Sequence, residues 1–150
     1  VINVNGRVFM EALECPFKTV RQAQEELSKS AKIIIVDMHA EATSEKVALG
    51  WYLDGKVSAI LGTHTHIQTA DEKILPAGSA YISDVGMTGP YDSVIGRRIE
   101  DVLERFLTCV PVRFEVAPHI NVQLHAVVLD IDESTGKARS ITRIQKKLTG

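Results

Sequence analysis

Three of the five histidines stand where chemistry is usually found. His39, His64 and His66 each follow a short, almost wholly apolar run, and in open α/β sheets ligands gather outside the carboxyl ends of the strands. His64 and His66 are two residues apart, and in extended backbone such positions point to the same side. Gly62 lets the chain turn without a Cβ clash, and Thr63 and Thr65 offer hydroxyls to orient imidazoles. His39 occupies the matching position after the neighbouring run, so the three rings can converge. Neutral imidazole suits zinc, iron, manganese and similar ions. On spacing alone, the His-x-His pair is about as compatible with polar loop residues as with a metal site. Asp37 and Glu41 flank His39, and Asp71 and Asp84 lie in nearby loops. Each reads as a group orienting a ligand or as an ordinary solvated or capping charge. His119, after Pro118, and His125, inside an alternating run, read as surface or packing residues. There is no nucleophile elbow, phosphate-cradling glycine loop or CxxC pair.

The elements that must position these residues alternate in type. Val1–Met10 reads as a strand broken at Asn5-Gly6. Thr19-Val20-Arg21-Gln22 matches a capping box, opening a helix to about Ala31. Ile33-Ile34-Ile35-Val36 reads as a strand buried on both faces, and a helix from Thr43 or Ser44, either of which can cap it, runs to Asp54-Gly55. Val57–Leu61 is a second buried strand. Ile74-Leu75 and Tyr81-Ile82-Ser83 flank a turn, Asp84–Pro90 reads as a glycine-punctuated loop, and a helix is expected from Asp92 or Ser93 to Leu107. Its apolar stripe is Ile95, Ile99, Val102, Leu103, Phe106 and Leu107. Val112–Val116, Ile120–Ile131 and Ala138 to about Leu148 complete a strand-rich third, the last two joined at Asp132–Gly136. This order predicts a layered α/β fold, without an internal repeat or linker.

Composition narrows the class. The chain has 150 residues, 45% of them hydrophobic and 24% charged, enough for one globular domain or a large piece of one. A net charge of −2 gives no electrostatic reason for an obligatory nucleic-acid partner. No apolar run approaches the ~20 residues of a membrane span. With no signal peptide in view, the cytoplasm is the default expectation. Cys15 and Cys109 suggest no disulfide framework.

Taken together, Asp37-Met38-His39-Ala40-Glu41-Ala42-Thr43-Ser44-Glu45-Lys46, Gly62-Thr63-His64-Thr65-His66-Ile67-Gln68-Thr69-Ala70-Asp71, Ile74-Leu75-Pro76 and Asp84-Val85-Gly86-Met87-Thr88-Gly89 strongly resemble the bacterial YmdB family of calcineurin-like metallophosphoesterases. Members are described as 2′,3′-cyclic-nucleotide 2′-phosphodiesterases. The likeness extends over nearly the whole chain and is densest from Asp37 to Gly96. It implies two packed β-sheets flanked by helices and two metal ions, iron or manganese, at the strand ends. It assigns His39 and His64 to the second metal and His66 to the first. The implied reaction is attack on phosphorus by a metal-bound hydroxide, in line with a departing sugar oxygen. Small phosphodiesters are the implied substrates, with a role connected to RNA left open.

The family's other ligands (an Asp, a bridging Glu and two Asn) and its proton-donating His belong to motifs, including Gly-Asn-His, that are not found here. The chain also begins without Met, inside an alternating stretch. The expectation is therefore the C-terminal portion, residues 1–150, of a single metallophosphoesterase domain incomplete at its N-terminus. Such a piece is expected to bind metal weakly, to catalyse little by itself and to self-associate through uncovered surface. Two rival readings stay open. One is a binding or scaffold module with structural histidines, and the other is the same superfamily acting on a different phosphoester.

Overall fold

Short β-branched runs build the central sheet. In a computed structural model, which describes residues 1–148, five strands pair in the order β1-β2-β3-β5-β4. They are β1 (Ile2–Asn5), β2 (Ile35–His39), β3 (Ala59–Thr63), β4 (Lys73–Ile74) and β5 (Ala80–Ile82). β1, β2, β3 and β5 run parallel, and β4 is an antiparallel edge. The helices α1 (Pro16–Leu27) and α2 (Thr43–Leu53) are the crossovers from β1 to β2 and from β2 to β3. A second, antiparallel sheet contains β6 (Thr88–Pro90), β7 (Val122–Ile131) and β8 (Ala138–Lys147), with α3 (Ile99–Thr108) between β6 and β7.

Strand alternation divides the core. Val36, Met38 and Ile60 point toward α1 and α2, where they meet Val20, Leu49 and Leu53. Ile35, Ala59 and Leu61 point the other way and meet Ala138, Leu129 and Ile141 of the second sheet. The expected pair of packed sheets with flanking helices is thus observed. Asp37 and His39 lie on the same side of β2 as Ile35, so the site face is the one turned toward the second sheet.

Several boundaries differ from expectation. The first helix begins at Pro16, not at a Thr19 capping box, because a proline fits the first turn, where its missing N–H costs nothing. That helix stops at Leu27 and the chain turns through Ser28–Ser30 instead of continuing to Ala31. Neither Thr43 nor Ser44 caps α2, whose N-cap is Ala42. Glu45 instead reaches across to accept the Arg7 and Val8 N–H groups; β1 ends at Asn5, at the expected Asn5-Gly6 break, and does not resume toward Met10. β2 is displaced toward its C-terminal end, which makes His39 its last residue and leaves Ile33 outside it and exposed. The third expected helix forms only from Ile99, because Val94 and Arg97 pair around a tight turn at Ile95-Gly96. Of its stripe only Val102 is buried; Phe106 and Leu107 are exposed. Thr88–Pro90, expected as loop, pairs with β7. Val112–Val116 is not a strand; an isolated Arg97–Val116 bridge joins its end to the Val94–Arg97 turn. Among the described residues no helix is long and apolar enough to cross a membrane. Thr149 and Gly150, inside the expected 1–150 domain, lie outside the described residues.

Candidate metal centre

His39 closes β2 and Thr63 closes β3, and the two are direct partners in the parallel ladder. The Thr63 hydroxyl donates to Asp37 Oδ1 at 2.7 Å and lies 3.2 Å from His39 Nδ1. A hydroxyl has one hydrogen, so once it is given to the carboxylate, Thr63 can only accept from His39 Nδ1–H. Asp37 is held in turn by Asn3 Nδ2 at 2.8 Å. This relay leaves the lone pair of His39 on Nε2. His64 is set in the opposite sense. Its Nε2 lies 3.1 Å from Glu41 Oε2, an acceptor, which leaves the lone pair on Nδ1.

Those two nitrogens, His39 Nε2 and His64 Nδ1, face each other at 3.1 Å. The rings meet edge to face at an interplanar angle of 86°. Two lone pairs at that distance repel unless a proton or a cation lies between them. A metal ion fits, because nitrogen ligands at about 2.1 Å from one ion stand roughly 3.0–3.4 Å apart in octahedral or tetrahedral geometry. The hydroxyl and carboxylate behind each ring are the partners that orient ligand imidazoles elsewhere.

The turn carrying His64 and His66 is not extended as the alternation argument supposed. His64 has φ +111° and His66 has φ +66°, conformations that a side chain adopts at a cost of about 1–3 kcal/mol. The structure brings His39 and His64 together and turns His66 to the Ile95 carbonyl, 2.9 Å from its Nδ1. Among the described residues, no three or more His, Cys, Asp or Glu side chains gather closely enough to complete a metal site. His119 is exposed, and His125 packs beside Tyr91, whose hydroxyl is 2.6 Å from its Nδ1. Burial pushes the His125 ring below its ordinary range.

Beneath the histidine turn lies a buried ion pair that sequence reasoning missed. Lys46 Nζ meets Asp84 Oδ2 at 3.0 Å, with side chains 2% and 1% exposed. The same oxygen accepts the Thr65 N–H at 3.0 Å, and Oδ1 accepts the Gly86 N–H at 2.9 Å. One signal was available, since Lys46 falls in helical register with the buried Leu49 and Leu53. Asp71 braces the neighbouring strand end through Ser83 and Thr69. Burial pushes its carboxyl up, but those hydrogen bonds outweigh it and hold the group below its ordinary range.

The strain at His64 is measurable. His64→Gly is expected to be about 1 kcal/mol more stable than His64→Ala in urea denaturation, because glycine adopts positive φ freely. Equal losses for both substitutions would show that the positive φ at residue 64 carries no strain.

The YmdB-like protein family model matches residues 1–144. The chain is 54% identical over 144 residues to a 2′,3′-cyclic-nucleotide 2′-phosphodiesterase of Bacillus subtilis, covering 96% of this chain and 54% of that protein. It is 44% identical over 123 residues to a putative phosphatase/phosphodiesterase of Mycoplasma pneumoniae, covering 81% and 43% respectively. It is also similar to a hypothetical protein from Thermus thermophilus, with a TM-score of 0.90 and 44% identity, over 97% of this chain and 56% of that one. A Mycoplasma pneumoniae structure described as a novel phosphatase matches with a TM-score of 0.88 and 38% identity, over 97% and 52%. The chain thus spans about half the length of the curated relatives it matches.

Proposed function

The chain belongs to the YmdB-like protein family, and from that premise we propose that it supplies the imidazole half of a two-metal phosphodiesterase site. His39 Nε2 and His64 Nδ1 hold one ion, and His66 contributes to the other. The observation that carries this reading is the approach of His39 Nε2 and His64 Nδ1 to 3.1 Å, each ring held by a partner on its far side. Iron or manganese suits the mixed nitrogen and oxygen donor set that the resemblance implies. Bound there, such ions polarise phosphoryl oxygens and offset charge on the departing oxygen.

The protein's own residues supply orientation. Asn3, Asp37 and Thr63 fix the plane and tautomer of His39, and Glu41 does the same for His64. The Lys46–Asp84 pair sets the height of the turn between His64 and His66. The substrates are small phosphodiesters, with 2′,3′-cyclic nucleotides the favoured class by analogy with the Bacillus subtilis relative. Imidazoles are neutral ligands, and paired metal ions need anionic oxygen to offset their repulsion. The polypeptide of residues 1–150 therefore turns over little substrate by itself.

A chimera tests the proposal. This chain is exchanged for the matched portion of the Bacillus subtilis relative and assayed with Mn²⁺ on a 2′,3′-cyclic nucleotide, beside the isolated chain. The chimera is expected to be active, its His64→Ala variant to lose both metal and rate, and the isolated chain to stay near background. Full activity of the isolated chain, or a His64→Ala chimera with normal metal content, would overturn it.

A further inference from the structure

The His66 ring is held by a feature that the site assignment leaves unused. Val94 and Arg97 exchange backbone hydrogen bonds at 3.0 and 2.9 Å around a two-residue turn at Ile95 and Gly96. Both residues have positive φ, +47° and +91°. That is the mirror-image turn for which Asn-Gly is the preferred sequence. A β-branched isoleucine there is an outlier, and it is exposed, so core packing does not explain its choice. The turn aims the Ile95 carbonyl at His66 Nδ1, 2.9 Å away, while His66 is itself at positive φ. Two strained residues on segments 29 positions apart thus meet in one hydrogen bond, and strain of this kind is retained where the surroundings over-determine it.

We propose that the Val94–Arg97 turn is a positioning device for His66: the Ile95 carbonyl takes Nδ1–H and so directs the Nε2 lone pair outward as the ligand atom. The inference rests on the metal-site reading above and adds the atom used and the element that selects it. A carbonyl can only accept, so the contact admits a single neutral tautomer. Gly96 keeps the turn closed, because a side chain at φ +91° is strained and its Cβ would meet Met87 Sδ at 3.2 Å. Ser93 Oγ accepts the Gly96 N–H at 2.9 Å and braces the same turn.

The test is the ring tautomer of His66, read by long-range ¹H–¹⁵N correlation on the metal-free, histidine-labelled chain at pH 8, above the ordinary histidine pKa of about 6.5. The wild type is expected to carry the proton on Nδ1. Ile95→Gly, which keeps the carbonyl and relieves strain, should leave that signature unchanged. Gly96→Val, which opens the turn, should shift His66 toward Nε2–H and weaken Mn²⁺ binding in the chimera about 10–100-fold. Should Gly96→Val fail to fold, Ser93→Ala, which removes the brace, is expected to move the tautomer in the same direction. A wild-type His66 protonated on Nε2, or an Nδ1–H signature unchanged in the turn-opening variants, would overturn the proposal. Failure of the metal-site reading would appear separately, as Mn²⁺ leaving the His39 and His64 signals untouched whatever the His66 tautomer.

Discussion

Replacing Asp84 with alanine is expected to destabilise the protein by about 3–5 kcal/mol, because it leaves the Lys46 ammonium buried without its partner. The two side chains are almost completely enclosed, and Asp84 also accepts the Thr65 and Gly86 N–H groups. Alanine therefore removes a charge partner and the side-chain acceptor of two backbone N–H groups together, just below the turn that presents His64 and His66. Urea denaturation measures the loss. A Lys46→Met, Asp84→Asn double variant separates the two contributions. It abolishes the buried charges and keeps a side-chain acceptor, so much of the stability should return. A cost below about 1 kcal/mol for Asp84→Ala, the size of an exposed ion pair, would remove the pair from its supporting role.

Gly62→Ala is expected to be equally damaging through sterics alone. A Cβ on residue 62 would lie 1.7 Å from the Ser83 carbonyl oxygen, a backbone atom with no flexible side chain to swing aside. β3 must approach the chain after β5 this closely because Val85 N–H donates to Gly62 O at 2.9 Å. Accommodating a methyl group would part these strands directly below His64. The expected loss is about 4 kcal/mol or more, in the range reserved for specific structural lesions. Circular dichroism and urea titration would register it as a protein largely unfolded at ambient temperature. Near-wild-type stability of the variant would show that the two segments can separate freely.

The sequence carried the sheet and the histidine cluster more clearly than it carried the geometry between them. The β-branched run Ile33–Val36 and the alternation within Ile120–Ile131 marked β2 and β7 to within a few residues, because burial and side-chain branching act locally. Pro16 outranked a plausible capping box at Thr19, since fixed φ and a missing N–H suit a first helical turn. The helix expected from Asp92 lost its first turns to the Ile95-Gly96 turn, whose isoleucine gives no turn signal. The ion pair joins residues 38 positions apart, and nothing in either neighbourhood names the other. The positive φ of His64 and His66 contradicts their residue type, which is why extended spacing was a sound ground for pairing them and a wrong description of their backbone. Places where local preference fails in this way are where function is expected to concentrate.

The sharing of one cation by His39 and His64 is what the proposed function rests on. It is tested most directly by titrating Mn²⁺ into the histidine-labelled chain and following each imidazole by nuclear magnetic resonance, where a paramagnetic ion broadens the rings nearest to it even when binding is weak. The His39 and His64 resonances should disappear at the lowest Mn²⁺ and those of His119 and His125 should persist, and in His39→Ala and His64→Ala the surviving partner should lose this sensitivity. Broadening that begins at His119 or His125, or a His64 signal that responds equally with His39 absent, would contradict the account.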